Sequence, residues 1–412
     1  MGFLNRSILA DADCFMTFNG RVRIQDLTRP QFKANPYPFY AHLRAEAPVC
    51  PTRFLGAPAW LITRYEDVLM LLKDERVVKD WPPVTRWVHL VAGPITRHML
   101  NKDAPDHTRL RKLVHKAFTP ALIKRWSDRI QNVCDELLNK LEKNRRMDLM
   151  GEYSLPLPLT IMAELLGMPE SERGTFHRRS RSSLSHSTFL GVLGAAPDQR
   201  LLTHQIRKLV KRRRQEPGED LVTALVHAEE NGDKLSEPEL VGNIFFLLIA
   251  GYETTVNLIG VGALALLQDM RQRQRFVQDD TVTGSAVEEL LRYTSPLDVA
   301  TQRFAREDMR INSVKVSRGD VLFAVLGSAN RDETEFSEPD TLDLGRWPNK
   351  HVAFGQGEHF CLGAALARLD GQIALTTLFR RFPDLRLAQS TESLRWRKSL
   401  VVRGLESLHV VA

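Results

Sequence analysis

The chain carries the segment FGQGEHFCLG at residues 354–363, and a helical pattern, LGAALARLDGQIALTTLF, starts at its end. Cys361 therefore lies at or just before a helix N-terminus, where unpaired backbone N–H groups and the positive end of the helix dipole stabilise a thiolate. Gly355 and Gly357 allow the loop to turn tightly toward the sulfur. Gly363 keeps the first helical turn thin enough for a flat ligand, and Phe354 can screen the sulfur from water. The segment predicts a thiolate that binds a metal.

The chain has three other cysteines, Cys14, Cys50 and Cys134, with no CxxC spacing. We expect them to be buried, inert thiols in a reducing compartment. A zinc site at Cys361 is not favoured because no second cysteine or histidine lies at ligand spacing. An inert thiol in a glycine-rich turn is the alternative for Cys361 itself.

A long apolar helix is predicted from Leu240 to Leu267. Ser236 and Glu239 form a capping box in front of it. The residues that follow are apolar nearly all round, which is typical of a helix buried on every face. Such a run is roughly 45–50 Å long, so we expect it to organise the fold.

The middle of that helix reads AGYETT at residues 250–255. Glycine weakens a helix interior, and a buried carboxylate is costly unless it is paired or protonated. Local rules that are violated together mark functional sites. We interpret the break as a groove in which Gly251 admits a ligand, Thr254 offers it a hydroxyl and Glu253 relays protons from water. The alternative is a kink through which Glu253 reaches solvent.

The composition is that of an ordinary folded protein, with 412 residues, 43% of them hydrophobic and 26% charged. Most of the chain has helical periodicity, and the strand-like pieces are short: Trp60–Thr63, Val314–Val316 and Val321–Val325. We expect one mainly α domain with a minor β-sheet over residues 1–412, in which residues 1–30 form a loosely ordered extension.

The net charge of +7 favours acidic partners. The densest basic run, Lys211–Arg214, is interpreted as the solvated end of a helix rather than a nucleic-acid site, because no nucleic-acid motif accompanies it. There is no signal-peptide pattern, and we expect every apolar stretch to end well short of about 18 residues. The sequence thus predicts a cytoplasmic protein without a membrane anchor.

The motifs together resemble the cytochrome P-450 family. The cysteine segment and Leu366-Ala367-Arg368 match its haem loop (FGxGxHxCLG, then LAR), residues 250–255 match its oxygen-activation segment (AGxETT), and Glu289–Arg292 matches its E-x-x-R. The likeness runs from Pro58 to Ser407 and is greatest to the soluble bacterial type that tailors polyketides and macrolides. It implies the cytochrome P-450 fold, with haem b held through Cys361.

The resemblance also assigns residues. It implies a buried structural cluster of Glu289, Arg292 and Arg346. It implies a second set that binds the cofactor, which comprises His107, Arg111, Ala250, Gly251, Arg303, Phe354, His359, Cys361 and Gly363. Within that set the propionate contacts are His107, Arg111, Arg303 and His359, because arginine can bind a carboxylate through two hydrogen bonds.

The activity implied is monooxygenation, in which Glu253 and Thr254 deliver protons and O2 is the oxidant. The implied substrate is a lipophilic polyketide, macrolide or fatty-acyl compound. By analogy its pocket contains Trp87, Leu247, Leu297, Val299 and Leu400, and its lid spans Gly174–Leu209.

Electrons are expected from NAD(P)H through an acidic ferredoxin or flavodoxin and its reductase, which dock on Arg109, Lys112 and Lys116, and the protein is expected to be a monomer. The alternatives are a non-catalytic haem protein that acts as a sensor or electron carrier, and a lipid-binding module without haem.

Overall fold

The computed structural model describes residues 22–81, 93–118, 120–175, 196–230 and 232–412. Its α-helices are α1 (Pro30–Ala34), α2 (Tyr37–Glu46), α3 (Tyr65–Lys73), α4 (Asp106–Ala117), α5 (Pro120–Arg125), α6 (Ser127–Asn144), α7 (Pro156–Leu165), α8 (Ala196–Gln215), α9 (Leu221–Val226), α10 (Glu237–Gln268), α11 (Met270–Gln278), α12 (Thr283–Thr294), α13 (Leu326–Ala329) and α14 (Ala364–Arg381). Residues 170–175 are also helical.

The strands are short. They are β1 (Val49–Phe54), β2 (Ala57–Ile62), β3 (Val77–Val78), β4 (Arg146–Asp148), β5 (Glu229–Glu230), β6 (Asp233–Lys234), β7 (Arg303–Ala305), β8 (Met309–Ile311), β9 (Val314–Val316), β10 (Val321–Ala324), β11 (Arg386–Leu387) and β12 (His409–Val411). The largest sheet has the order β1-β2-β10-β7-β3. The predicted fold class, mainly α with a minor sheet, is confirmed.

The central helix α10 is buried along most of its length, as its apolar pattern predicts. At its start the Glu239 carboxylate accepts hydrogen bonds from the backbone N–H and the hydroxyl of Ser236, both at 2.8 Å. One expectation was wrong: by length and composition alone α10 is apolar enough to cross a membrane. Its most apolar window is, however, 67% buried against the rest of the chain, so the hydrophobic run belongs to the core.

Helix α14, which follows the cysteine segment, packs against the C-terminal half of the central helix. A Cβ atom at Gly262 would lie 3.5 Å from Leu375 of α14 and 3.6 Å from Leu290 of α12. A Cβ at Gly371 of α14 would lie 2.7 Å from the side chain of Leu258. Close packing of these three helices sets the position of the cysteine loop relative to the polar break in α10.

The five-stranded sheet carries Arg303, one of the residues expected to bind the cofactor. Strand β10 pairs in parallel with β2 and antiparallel with β7, so that Arg303 on β7 lies opposite Leu322. Two hydrophobic clusters cover the sheet, one around Ile62, Leu71 and Leu322 and the other around Tyr40, Leu61 and Phe323. The sheet therefore holds Arg303 in a rigid frame, and its side chain is buried.

Candidate functional site

The cysteine loop closes on itself ahead of α14. The Cys361 N–H donates to the carbonyl of Phe354 at 3.0 Å. Gly355 and Gly357 have φ of +69° and +74°, in the left-handed region that favours glycine. A Cβ at Gly357 would also lie 2.5 Å from the backbone oxygen of Leu72 on α3. Both glycines are therefore required by the backbone, as the sequence predicts.

The thiol of Cys361 has opposing influences on its pKa. Burial raises the pKa, and a hydrogen bond from the backbone of Gly363 together with the charges of Arg111 and Arg368 lowers it, with a net increase. The predicted stabilisation of the thiolate is thus opposed by burial. A metal ion that binds the sulfur removes the proton outright, so the donor groups around Cys361 act on the ligated sulfur.

Glu289, Arg292 and Arg346 lie together behind the loop. Arg292 donates to both oxygens of Glu289 at 2.7 and 2.8 Å, and Arg346 Nε approaches the same carboxylate at 3.2 Å. The side chains of Glu289 and Arg292 are fully buried. Arg292 also donates to the carbonyls of Asn330, Pro339 and Thr341. The cluster thereby ties α12 to the irregular segment that precedes the cysteine loop.

Three buried side chains face one region with nitrogen atoms that lack a hydrogen-bond partner among the described residues. These atoms are Nε of Arg303, both ring nitrogens of His107 and Nε2 of His359. The two histidine rings lie 4.3 Å apart between centroids. Burial lowers the pKa of His107 to about 4 and that of Arg303 to about 10. Buried nitrogens of this kind are costly unless a ligand satisfies them.

Two further cations lie close by, one of which the sequence did not indicate. Arg111 donates to the carbonyl of Phe360 at 2.7 Å, directly before Cys361. Lys79 is buried and donates to Thr301 Oγ1 at 2.5 Å and to the carbonyls of Thr301 and Gln302 at 2.9 and 3.1 Å. All three Lys79 protons are therefore used within the protein, and Lys79 orients the backbone just before Arg303.

The polar break interrupts the buried stretch of α10. Ala250 is exposed and Thr254 half-buried, although most of their neighbours on the helix are buried. The hydroxyls of Thr254 and Thr255 donate to the carbonyls four residues earlier, each at 3.2 Å. A Cβ at Gly251 would lie 2.7 Å from the sulfur of Met162 on α7. Close helix packing is thus a reason for glycine at 251 in addition to the predicted ligand approach.

Glu253 has a partner that the sequence analysis missed. Arg397 Nη1 lies 3.4 Å from Glu253 Oε1, and both side chains are mostly buried. Burial raises the pKa of Glu253, and the charge of Arg397 opposes that rise. Arg397 belongs to a hairpin in which its N–H donates to the carbonyl of Gly404 at 2.8 Å. A Cβ at Gly404 would overlap the Asn257 side chain of α10, so the hairpin is pressed onto the helix.

Comparison with known proteins identifies the family. The Cytochrome P450 family model matches residues 199–402. A polyketide biosynthesis cytochrome P450, PksS of Bacillus subtilis strain 168, is 42% identical over 399 residues, which are 92% of this chain and 96% of the relative. The chain belongs to the cytochrome P450 family. The predicted recognition and the predicted class of enzyme, a cytochrome P450 monooxygenase, are therefore confirmed.

Solved cytochrome P450 structures share the whole fold. PksS superposes with a TM-score of 0.88 and covers 93% of this chain and 98% of that one. A myxobacterial P450, CYP267B1, solved with myristic acid, is 39% identical with a TM-score of 0.87 and coverage of 94% and 98%. P450BioI, solved with an acyl carrier protein that carries hexadec-9Z-enoic acid, is 34% identical with a TM-score of 0.85 and coverage of 93% and 99%.

The residues of this P450 fit the haem that the family uses. The nitrogens of Arg303, His107 and His359 that make no hydrogen bond with the described residues suit two propionate carboxylates. The carboxylate of Glu358 lies nearby, 3.4 Å from His359 Nε2 and 3.7 Å from His107 Nδ1. A Cβ at Gly355 or Gly363 would meet no atom within 4 Å. Open space therefore borders the loop on the side where a flat ring would lie against Cys361.

The residues predicted to line the substrate pocket differ in how deeply they are buried. Val299 is fully buried in a sheet cluster that Leu400 borders, and Leu247 is buried in the helical core. Leu297 is only partly buried. Trp87 and residues 176–195 of the predicted lid lie outside the described residues. Val299 therefore offers little surface to a substrate, and Leu297 and Leu400 are the better candidates.

The cations that are predicted to dock the electron donor differ in whether they already have a partner within the protein. Arg109 pairs with Asp233 at 3.3 Å and with Glu239 at the start of α10, and Lys116 donates to the carbonyl of Glu229 at 2.9 Å. Lys112 is exposed. The pairing of Arg109 reduces its value as a docking residue, because much of its charge is neutralised within the protein.

Proposed function

We propose that this P450 is a haem-thiolate monooxygenase that hydroxylates a lipophilic polyketide, macrolide or fatty-acyl compound in the cytoplasm. The observation that carries the proposal is the polar break of α10, where the mostly buried carboxyl of Glu253 and the half-buried Thr254 interrupt an otherwise buried helix. A sensor or an electron carrier has no need of a buried carboxyl beside a threonine hydroxyl at this point. The names of the relatives support the substrate class.

Each part of the site has a distinct task. Haem, when bound, supplies oxygen activation, which the thiolate of Cys361 favours by donating electron density. When haem is bound, Arg303, His107 and His359 would hold its propionates, and Phe354 would keep water from the sulfur. Thr254 Oγ1 holds a proton at the ligand side of α10, and Glu253 replaces that proton from the solvent side. Leu297 and Leu400 exclude water around the substrate.

A shallow pocket supports the proposed docking of an electron donor. It has a volume of about 370 Å³ and is lined by Phe354 and Phe360 of the cysteine loop as well as by Lys73, Lys350 and Arg368. Glu288 also lines the pocket and pairs with Arg368 at 2.6 Å, and Lys350 pairs with Glu335 at 3.2 Å. The exposed Lys73 beside the two aromatic rings is therefore the cation that best suits an acidic protein surface. We propose that an acidic ferredoxin or flavodoxin docks here and delivers electrons that derive from NAD(P)H.

The decisive experiment is the absorption spectrum of the reduced protein under carbon monoxide. We expect the purified wild type to contain haem and to give the band of a thiolate-ligated iron, whereas Cys361→Ser loses that band and all turnover. Cys50→Ala, which alters a buried thiol elsewhere, serves as the matched control and keeps the band. A colourless wild type that refuses added haem would refute the proposal.

A second experiment separates the monooxygenase from a non-catalytic haem protein. Thr254→Ala removes the hydroxyl on the ligand side, so we expect NAD(P)H consumption to continue while a larger share of it yields hydrogen peroxide. Thr255→Ala is the control, because its hydroxyl makes the same hydrogen bond to the carbonyl four residues earlier but lies on the buried side of the helix. We expect this variant to couple NAD(P)H consumption to product formation as the wild type does. The measurement is product formed per NAD(P)H consumed, in a screen of macrolides and fatty acids. Unchanged coupling in Thr254→Ala would contradict the role of that hydroxyl.

A further inference from the structure

Helix α8 presents a regular row of basic side chains to solvent. Arg200, His204, Arg207 and Lys211 follow one another at intervals of four, three and four residues, and all four are exposed. Residues at these spacings share one face of a helix. None of the four makes an ion pair or a side-chain hydrogen bond with another described residue. We call this row the basic stripe; it is about 16 Å long.

The rest of α8 explains why the stripe is distinct. Leu202, Ile206 and Leu209 are buried on the opposite face. The neighbouring cations are engaged: Arg212 pairs with Glu172, Arg213 with Asp220 and Arg214 with Glu237. Of the run Lys211–Arg214, both Lys211 and Arg214 are exposed to solvent as expected, and Lys211 makes no ion pair with a described residue. The unpaired charge of α8 is concentrated in the stripe, with the exposed Leu201 beside it.

The position of the stripe separates it from the electron-donor pocket. The pair Arg214–Glu237 fixes the C-terminal end of α8 to the first turn of α10. Helix α14 packs instead around Leu258 and Gly262 of α10, roughly 30 Å along the helix axis. An electron donor must approach Cys361, so the stripe gives it no advantage. A partner that binds this surface would therefore be an acidic one other than the electron donor.

We propose that the basic stripe docks an acidic carrier protein that presents the substrate as a thioester. Acyl carrier proteins are small and acidic, and one acidic helix laid along α8 matches the length and sign of the stripe. The inference rests on the proposed function, because it names the form in which a fatty-acyl or polyketide substrate arrives. Among the residues of α8 whose burial is described, a single exposed leucine is too little apolar surface for a membrane helix. Those residues also include no exposed aromatic side chain for stacking on nucleic-acid bases.

The test measures carrier binding directly, by fluorescence anisotropy of a labelled holo-acyl carrier protein titrated with the haem-loaded enzyme. We expect saturable binding at low ionic strength that weakens as salt is added, because exposed charges are screened. In Arg207→Glu/Lys211→Glu the dissociation constant rises about tenfold or more. Lys140→Glu/Lys143→Glu makes the same change of net charge on α6 and leaves the dissociation constant near that of wild type.

Three outcomes overturn the inference. One is a wild type that does not bind the carrier at low salt, and another is equal weakening in both double variants. The third is a stripe-dependent affinity for phosphatidylglycerol vesicles or duplex DNA that exceeds the affinity for the carrier. The carbon monoxide spectrum of the same samples reports on the proposed function separately. A normal spectrum without carrier binding rejects the stripe alone, whereas a missing spectrum rejects the monooxygenase.

Discussion

Two opposing influences act on the protonation of the Glu253 carboxyl. Burial within α10 favours its protonated form, and Arg397 favours its charged form. A carboxyl poised in this way can give up a proton and regain it, which is what a relay requires. Arg397 is a positioning residue in this arrangement because it acts only through Glu253.

Arg397→Gln tests this balance. Loss of the guanidinium raises the pKa of Glu253 further, so the carboxyl stays protonated to a higher pH. We therefore expect the alkaline limb of the pH profile of product formation to move to higher pH. Arg395→Gln, two residues away and exposed, provides the control. A profile that does not move in Arg397→Gln would show that the pair does not influence proton delivery.

The residues of the site differ in how far sequence predicts them. The cysteine loop and the break in α10 were predictable because each is a continuous segment that violates local preferences for a visible reason. Arg397 and Lys79 were not, because neither stands in a motif and each acquires its partner only when distant segments meet. Trp87 shows the opposite case, in which a position inferred by analogy has no described structure to support it.

At the scale of an element, α14 contains an unusual carboxyl. Asp370 is 1% exposed, and its Oδ1 has no hydrogen-bond partner among the described residues. Burial raises the pKa of Asp370 to about 8. The helix that follows the cysteine loop therefore carries a group that is neutral in the folded protein over much of the usual pH range.

Asp370→Asn should change how stability depends on pH. Between about pH 4 and about pH 8 the unfolded chain has an ionised Asp370 and the folded protein a protonated one, so a rise in pH favours unfolding by up to about 1.4 kcal/mol per unit. Asparagine does not titrate, and the free energy of unfolding should then fall less between pH 5 and pH 8. The measurement is urea denaturation at several pH values.

The control for this experiment is Asp384→Asn, which changes an exposed carboxyl near the end of the same helix. It should retain the pH dependence of wild type. An identical slope in Asp370→Asn and wild type would mean that Asp370 is ionised in the folded protein.

Elements were predicted better than contacts. The expected helix Leu240–Leu267 and the observed Glu237–Gln268 differ by three residues at the start and one at the end, because periodicity and the capping box are local signals. Likewise the apolar residues of 128–141 recur at helical spacing, and this stretch lies within the observed helix Ser127–Asn144. The short two-residue strands β3, β5, β6 and β11 gave no usable pattern, since pairing with a partner strand is what defines them.

At the scale of the whole molecule, a buried ion pair joins helix α1 near the start of the described chain to the segment that follows α12. Lys33 Nζ lies 2.5 Å from Asp298 Oδ2, although the residues are 265 positions apart, and it also donates to the carbonyl of Leu400. The Tyr40 hydroxyl donates to the same carboxylate at 2.9 Å. The pair therefore connects α1 and α2 to the segments that present Leu297 and Leu400.

Lys33→Met should destabilise the protein strongly, because it leaves Asp298 buried without its cation. We expect a loss of about 3–5 kcal/mol, measured from the urea midpoint. The double variant Lys33→Met/Asp298→Asn removes the stranded charge and should regain a large part of that loss. A double variant less stable than Lys33→Met alone would contradict the account.

The hairpin that carries Arg397 also carries Leu400, and at Gly404 it leaves no room between itself and the central helix. Leu400, which would border a bulky substrate, and Arg397, which lies beside Glu253, are therefore parts of the same hairpin. A substrate that displaces Leu400 would move this hairpin and change the contact between Arg397 and Glu253. The shape of the substrate would in this way alter the supply of protons before the reaction begins.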